Sequence, residues 1–431
     1  MKTDILIVGS GCAGLYCALN LPKDKNILMI TKDIVEHSDS YLAQGGMCML
    51  KSSDDYDSYF NDTMKAGHFE NNPAAVETMI KESPDLVKDL LSFGVDFQRD
   101  EDGNLAFTRE GAHSHNRIVY HKDVTGREIT SHLYKQCEKL NNLTIQEHWT
   151  MVDLICDDNR CYGVIVKKDD GQLDVIMANY TVLACGGIGG IYRYSTNFRH
   201  LTGDGVALAL RHGVEVQNVN YVQIHPTTFY SEKEEDRSFL ISESVRGEGA
   251  LLYNNKGERF TNELLPRDIV TKNIKEEMQK EGTNHVWLSM RPIDKEQLTS
   301  HFPNIVRHCK EHGYDVPKDM IPVVPAQHYF MGGIKVNLQS KTSMEQLYAI
   351  GETACNGVHG KNRLASNSLL ESMVFAKRAA IEMTEQFDDT EIKEFKNINF
   401  APYKDLKAWA KENKCIIKRA IEEADNSKES E

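Results

Sequence analysis

Residues 4–14 read DILIVGSGCAG, an apolar run followed by three glycines with the spacing G-x-G-x-x-G. The run predicts a buried strand, residues 13–20 predict a helix, and residues 26–30 predict a second strand. In such a unit the glycines allow a tight turn, close approach of the backbone to a pyrophosphate and close helix packing. The N-terminus of the helix then faces the phosphates. The segment therefore predicts a dinucleotide site in a Rossmann-like α/β fold.

Two further glycine clusters offer backbone that can lie against a flat ring system, at residues 43–46 (AQGG) and 184–187 (ACGG). The acidic residue expected after the second strand is absent, because Thr31 and Lys32 stand there. Glu352, which follows a predicted strand at 347–350, is the candidate for ribose recognition. The alternative for Glu352 is a solvated acid in a loop.

Length, charge and cysteine content limit the class of protein. The 431 residues are enough for two or three domains, and the formal net charge of -14 disfavours nucleic acid or an anionic membrane as a partner. The ten cysteines form no CxxC pair, which favours reduced thiols in the cytoplasm. Glycines and polar residues interrupt the uncharged runs at 5–21 and 175–192, so we expect neither a signal peptide nor a membrane span.

The rest of the chain shows a change in composition near residue 220. Before it we predict helices at 72–93 and 123–140, strands at 143–149 and 161–167 in an antiparallel insert, and a buried strand at 180–185. The stretch from about 220 to 325 is richer in charge and predicts a second domain. Strands at 332–337 and 347–350 and a helix at 368–386 should rejoin the first domain. The charged residues beyond 388 favour a helix with a frayed end at 425–431.

Several motifs carry a resemblance to the superfamily of succinate dehydrogenase, fumarate reductase and L-aspartate oxidase flavoproteins, from residue 4 to about 385. They are AQGG at 43–46, HPT at 225–227, RGEG at 246–249, PRD at 266–268, HYFMGG at 328–333 and NRLASNSLLE at 362–371. Within the superfamily, TREGAHSH at 108–115, followed by DVTGRE at 123–128, resembles the L-aspartate oxidases.

The resemblance implies an FAD-binding domain with an inserted α+β capping domain and a short helical C-terminal segment. The corresponding boundaries are 1–219 and 330–388 for the two parts of the FAD-binding domain, 220–329 for the capping domain and 389–431 for the C-terminal region. Relatives with covalent flavin have a histidine where this chain has Asp39, so we expect noncovalent FAD. The chain departs from the family pattern at Lys361, where a small residue is usual, and in its short C-terminal region.

The predicted cofactor residues combine the glycine clusters with polar residues of the family motifs. They are Gly9, Ser10, Gly11, Ala13, Gly14, Thr31, Lys32, Gln44, Gly45, Gly46, Gly186, Gly187, Asp204, Glu352, Ser366, Ser368 and Leu369.

A four-carbon dicarboxylate needs cationic or hydrogen-bonding groups at both ends. The resemblance places Arg363, His225 and His328 in this role, with the hydroxyl of Ser242 and with Thr227 as a second hydroxyl. Each histidine has a structural, hydrogen-bonded role as its alternative.

Glu110 is the residue expected to select the substrate. A carboxylate beside the site repels succinate but pairs with the ammonium of aspartate. The alternative is an exposed acid beside Arg109. His113 and His115 lack a third ligand beyond His121, and we expect no metal.

The resemblance implies oxidation of L-aspartate to iminoaspartate by hydride transfer to FAD, which O2 or fumarate then reoxidises. It places proton transfer at Arg267, with Glu243 and Arg246 as a relay. The alternative is Arg267 as a carboxylate anchor, since a guanidinium is a poor base. The implied pathway is the first step of NAD biosynthesis, with quinolinate synthase as the next enzyme. A soluble fumarate reductase, a succinate dehydrogenase flavoprotein and a catalytically silent flavin-binding protein stay open as alternatives.

Overall fold

The computed structural model describes residues 1–232, 237–387, 393, 395 and 398–428. Its strands are β1 (Lys2–Val8), β2 (Ile27–Ile30), β3 (Met47–Cys48), β4 (Ile118–Val119), β5 (Leu143–Gln146), β6 (Thr150–Asp157), β7 (Arg160–Lys167), β8 (Leu173–Leu183), β9 (Val216–Gln217), β10 (Val222–Phe229), β11 (Leu251–Tyr253), β12 (Val286–Ser289), β13 (Ile321–Phe330), β14 (Gly333–Lys335), β15 (Leu347–Ala349) and β16 (Ala354–Cys355). Its helices are α1 (Cys12–Asn20), α2 (Asp39–Leu42), α3 (Tyr56–Ala66), α4 (Pro73–Ser92), α5 (Thr125–Cys137), α6 (Asp204–Arg211), α7 (Glu243–Gly247), α8 (Arg267–Glu281), α9 (Lys295–His301), α10 (Pro303–Glu311), α11 (Ser368–Glu385) and α12 (Leu406–Lys428).

The central sheet has the strand order β5-β2-β1-β8-β7-β6, and β15 pairs with the C-terminal part of β8. Side chains alternate along β1, so Ile5 and Ile7 pack under α1, α4, α5 and α11, while Leu6 and Val8 pack on the opposite face with α6 and α12. Because both faces are buried, every position from Ile5 to Val8 is apolar. The predicted βαβ unit and its fold class are confirmed.

One strand differs from the prediction. β6 and β7 form the antiparallel insert, but β5 pairs in parallel with β2 and belongs to the Rossmann-like part of the sheet. Assigning residues 143–149 to the insert was therefore wrong. The strand's own sequence carries no signal for this, since its partner lies more than a hundred residues away.

A second, antiparallel sheet follows in the order β10-β13-β12-β11. Its own core includes Phe229, Ile274 and Ile305, from β10, α8 and α10. The sheet lies between residues 222 and 330, yet the exact domain boundaries stay a prediction, and the one at 388/389 lies outside the described residues. Of the frayed end predicted at 425–431, residues 425–428 belong to α12, and residues 429–431 lie outside the described residues.

After α11 the chain returns to the first sheet. The helix α12 packs against α6 through Ile417, and Trp409 Nε1 donates to the carbonyl of Val152 at 3.0 Å. Across the part of the chain that the structure describes, no helix combines the length and apolar character needed to cross a bilayer.

Candidate active site

The first glycine turn has the tight geometry that its spacing predicts. Gly9 has a φ of +117°, and a Cβ there would lie 2.1 Å from the carbonyl oxygen of Ala184. A Cβ at Gly14 would lie 2.1 Å from the carbonyl oxygen of Gly9, so α1 packs directly on the turn. Gly11 caps α1 without a side-chain hydrogen bond of its own. Ser40 Oγ accepts the first helical N–H, that of Cys12, at 3.1 Å, while the next N–H groups of the helix have no side-chain cap among the described residues. The helix N-terminus is therefore open to an anionic group.

One large cavity lies beside this turn, with about 1720 Å³ of empty space including its mouth. It is lined by most of the predicted cofactor residues, namely Gly9, Ser10, Gly11, Ala13, Thr31, Lys32, Gln44, Gly45, Gly46, Gly186, Asp204, Glu352, Ser366, Ser368 and Leu369. Gly14 and Gly187 lie behind its wall, where a Cβ at Gly187 would lie 2.3 Å from Oε1 of Glu352.

Polar atoms inside the cavity are left without partners among the described residues. They are Gln44 Oε1, Ser368 Oγ, Asn197 Oδ1, Asp39 Oδ2 and His225 Nε2. A buried polar atom normally has a hydrogen-bond partner, because leaving it unsatisfied costs about 1–3 kcal/mol. Donors and acceptors of this kind, set among glycine backbones, fit a large heteroaromatic group with polar edges.

Polar residues on one wall of the cavity pair with one another. Lys32 Nζ donates to Asp204 Oδ2 at 2.7 Å, and the hydroxyl of Ser10 donates to Thr31 Oγ1 at 2.9 Å. Asp204 opens α6 at a left-handed Gly203. The pairing fixes these side chains around the open end of α1.

Glu352 lies inside the cavity and not in a solvated loop. Its Oε1 accepts the backbone N–H of Phe330 at 2.9 Å. Burial, together with the neighbouring Asp39, raises the pKa of Glu352 well above its usual value. Burial likewise raises the pKa of Asp39 to about 7. Near neutral pH Glu352 therefore holds a proton and can donate a hydrogen bond, whereas Asp39 is protonated for only part of the time.

A second region of the same cavity lies between the glycine-rich loops and the antiparallel sheet. His225, on β10, and His328, on β13, pack edge to face with ring centroids 5.1 Å apart. Arg267 opens α8, and Arg363 lies over the ring of Tyr329 at 4.9 Å. All four side chains line the cavity, as does Ser242. The predicted dicarboxylate groups thus come together from four separate segments.

The histidines are neutral donors or acceptors in this structure. Burial and the charge of Arg267 lower the pKa of both His225 and His328 well below the usual value. The Nδ1 of His225 accepts the backbone N–H of Thr227 at 3.1 Å, which places the ring proton on Nε2, and this atom faces the cavity. The Nδ1 of His328 contacts the hydroxyl of Thr196 at 2.7 Å.

Thr227 does not act as a second substrate hydroxyl, so that expectation was wrong. Its Oγ1 donates to the carbonyl of Ile241 at 3.1 Å, inside the antiparallel sheet. The backbone of Thr227 instead orients His225.

Glu110 lies against the AQGG loop with 5% of its surface exposed. Its Oε1 accepts the hydroxyl of Ser244 at 2.7 Å, and its Oε2 accepts the hydroxyl of Ser366 at 2.6 Å. A Cβ at Gly45 would lie 2.6 Å from Oε1. The carboxylate therefore belongs to the cavity, and the alternative of an exposed acid is excluded.

Arg267, Glu243 and Arg246 form a buried row. Arg267 Nε donates to Glu243 Oε2 at 2.5 Å, and Arg246 Nη2 lies 3.7 Å from Glu243 Oε1. Burial raises the pKa of Glu243, but Arg267 and Arg246 outweigh it and hold that pKa below the usual value. Arg246 lies behind the cavity wall, where its Nη1 donates to the carbonyl of Glu263 at 2.5 Å.

The comparisons with known proteins agree with this geometry. The model of the FAD binding domain matches residues 4–369. The L-aspartate oxidase of Clostridium perfringens is 51% identical over 389 residues, which are 90% of this chain and 88% of that protein. That of Clostridium acetobutylicum is 46% identical, over 88% of this chain and 87% of its own length. The chain belongs to the L-aspartate oxidase family.

Solved structures similar to this chain include a fumarate reductase and Sdh1. The quinol fumarate reductase of E. coli aligns with a TM-score of 0.85 at 29% identity, covering 96% of this chain and 74% of that one. Sdh1 of Mycobacterium smegmatis aligns with a TM-score of 0.79 at 30% identity, covering 94% and 72%. The chain is therefore an FAD-dependent oxidoreductase, and the unpartnered polar atoms and glycine backbones of its cavity fit FAD.

Two residues that contact the predicted site residues were missed from the sequence. Gln223 Oε1 accepts from Arg267 Nη1 at 2.9 Å and from Arg363 Nε at 3.2 Å, so one amide joins both guanidiniums. Its position two residues before His225 on a strand puts both on one face, which was an available signal. Ser244, the donor to Glu110, had no such signal.

Other singled-out residues lie outside the substrate part of the cavity. Lys361 is exposed, with its Nζ 3.9 Å from Glu70. His113 is buried, with its Nε2 3.0 Å from the carbonyl of Ala365 and its Nδ1 3.1 Å from Arg117. Among the described residues no three potential metal ligands come together.

Proposed function

We propose that the chain oxidises L-aspartate to iminoaspartate. FAD, when bound, supplies the two-electron acceptor. The observation that carries the proposal is the charge of the buried cluster. The buried acid Glu110 lies among the guanidiniums of Arg267 and Arg363 and two neutral histidines, so the cavity offers donors to two carboxylates and one acid to an ammonium. Zwitterionic aspartate matches this mixed set, whereas succinate and fumarate bring no cation to pair with Glu110.

Each end of aspartate has matching groups in this cluster. Arg363, His225 and His328 are suited to its two carboxylates, since each offers a donor to the cavity or a fork for a carboxylate. The hydroxyl of Ser242 joins them by turning its proton from Ser244 Oγ to the substrate. Glu110 is suited to the ammonium, because both its oxygens keep a lone pair after accepting from the two serines. This arrangement holds the substrate in one orientation, which lowers the entropic part of the barrier.

The buried row supplies a path for protons. Arg267 lines the cavity, and Glu243, held ionised by Arg267 and Arg246, can accept a proton from Arg267 or return one at Oε2. Such a carboxylate partner compensates for the weak basicity of a guanidinium. We assign Arg267 to proton transfer and Glu243 and Arg246 to the relay. A role of Arg267 as an anchor alone stays the alternative.

The same carboxylate groups suit fumarate, so we propose O2 or fumarate as the acceptor that reoxidises the enzyme. The proposal includes noncovalent FAD, since Asp39 stands where a histidine would carry the covalent bond. It also includes a cytoplasmic location and delivery of iminoaspartate to quinolinate synthase as the first step of NAD biosynthesis.

A product assay tests the proposal. The FAD-loaded enzyme is incubated with L-aspartate under air, and separately under argon with fumarate. We expect oxaloacetate, from hydrolysis of the imine, together with hydrogen peroxide in the first case and succinate in the second. Absence of oxaloacetate under both conditions would refute aspartate oxidation.

A fumarate reductase or succinate dehydrogenase flavoprotein is the second candidate, favoured by the TM-score of 0.85 to the E. coli quinol fumarate reductase. It predicts faster turnover with succinate or fumarate than with aspartate. The buried Glu110 carboxylate argues against it, because it opposes a dianion in a site of low dielectric.

A further inference from the structure

Glu110 is held by hydroxyl groups from two different parts of the fold. Ser366 belongs to the loop before α11, whereas Ser244 belongs to the short helix α7 beside the antiparallel sheet. Each hydroxyl has one proton, and each gives it to a different oxygen of the carboxylate. The direction in which Glu110 faces the cavity therefore depends on both serines.

The proton of Ser244 is committed to Glu110 by a second contact. The hydroxyl of Ser242 donates to Ser244 Oγ at 3.2 Å, and Ser244 Oγ in turn donates to Glu110 Oε1 at 2.7 Å. Ser244 is 8% exposed. The two hydroxyls thus connect the group suited to a substrate carboxylate with the group suited to the ammonium.

The backbone around these contacts is closely packed. A Cβ at Gly111 would lie 2.3 Å from Glu243 Oε1, and a Cβ at Gly247 would lie 3.0 Å from the carbonyl oxygen of Arg109. The segment 109–111 therefore rests directly on α7, the helix that also carries Glu243. A shift of α7 would move the partner of Glu110 with it.

We propose that Ser244 is a positioning residue that makes the enzyme selective for the amino acid over the dicarboxylate without an amino group. Its hydroxyl holds the Glu110 carboxylate in the orientation that faces the substrate ammonium. This contact forms only when α7 packs against residues 109–111. The inference rests on the proposed oxidation of aspartate. It adds that recognition of the amino group depends on a side chain of α7, the helix that also contains Glu243 and Arg246 of the proposed proton relay.

The test compares aspartate oxidation with fumarate reduction in the FAD-loaded enzyme, using Ser244→Ala and the hydroxyl-retaining Ser244→Thr. For Ser244→Ala we expect kcat/KM for aspartate to fall about tenfold, mainly through KM, while fumarate reduction changes less than about twofold. Ser244→Thr should stay within about threefold of the wild type for both substrates. An unchanged aspartate-to-fumarate ratio in Ser244→Ala, or the same loss in Ser244→Thr, would overturn the proposal.

A double-mutant cycle separates positioning from a structural defect. In the Glu110→Gln background, Ser244→Ala should alter the aspartate-to-fumarate ratio less than about twofold, since the carboxylate it positions is gone. A further tenfold change there would show that Ser244 acts independently of Glu110. If the wild-type enzyme does not oxidise aspartate, the proposed function is refuted. Failure of the proposed function can therefore be distinguished from failure of the proposal for Ser244.

Discussion

Replacing Glu110 by glutamine changes one charge at the point where the substrate ammonium is expected. The amide keeps the shape and one acceptor oxygen, so one of the two serine contacts survives. What is lost is the charge-assisted bond to the ammonium, which is worth about 1.5–3 kcal/mol. At about 1.4 kcal/mol per factor of ten, kcat/KM for aspartate should fall about 10- to 150-fold.

Fumarate has no ammonium to lose, and it gains from removal of a nearby negative charge. Fumarate reduction by Glu110→Gln should therefore stay within about threefold of the wild type or improve. Both rates are measured on enzyme with verified flavin content. Glu101→Gln, at an exposed acid of the same segment, is the matched control and should leave both rates unchanged. Equal losses on aspartate and fumarate in Glu110→Gln would refute ammonium recognition by Glu110.

Three further substitutions test other parts of the site. Arg267→Leu should retain the flavin spectrum but lose at least about 10³-fold in turnover on both aspartate and fumarate; near-normal rates would remove Arg267 from proton transfer. Gly14→Val places carbon atoms against the carbonyl of Gly9, so the purified protein should contain little flavin, and a normal flavin content would contradict the packing. Burial raises the pKa of Asp39 from 3.8 to about 7, so the wild-type apoprotein loses stability as pH rises through this window. In urea unfolding, Asp39→Asn should stabilise the apoprotein, and by more near pH 8 than near pH 5, because only the wild type loses stability over that range; a gain independent of pH would contradict a raised pKa at Asp39.

The sequence predicts the dinucleotide turn well because its determinants are local. Three glycines between an apolar strand and a helix specify the turn independently of the rest of the chain. Gly9 and Gly14 have the close backbone contacts that such a turn requires. The family motifs predict side chains that meet in one cavity for a different reason, since His225, Arg267, His328 and Arg363 come from four separate motifs. Arg246, from a fifth motif, lies behind the cavity wall.

Contacts between distant segments were less predictable. The parallel pairing of β5 with β2, the use of the Thr227 hydroxyl inside the sheet and the donation from Ser244 to Glu110 depend on how separate elements meet. A serine or threonine has the same sequence signature whether its hydroxyl faces a substrate or a carbonyl. Only the three-dimensional arrangement decides which partner it takes.

Anaerobic titration of the flavin tests the central claim most directly. The purified yellow protein is mixed under argon with L-aspartate, and a second sample with succinate, while the absorbance of oxidised flavin is recorded. A cavity that sets buried Glu110 among guanidiniums predicts rapid bleaching by L-aspartate and little or none by succinate. Bleaching by succinate alone, or by neither compound, would contradict it.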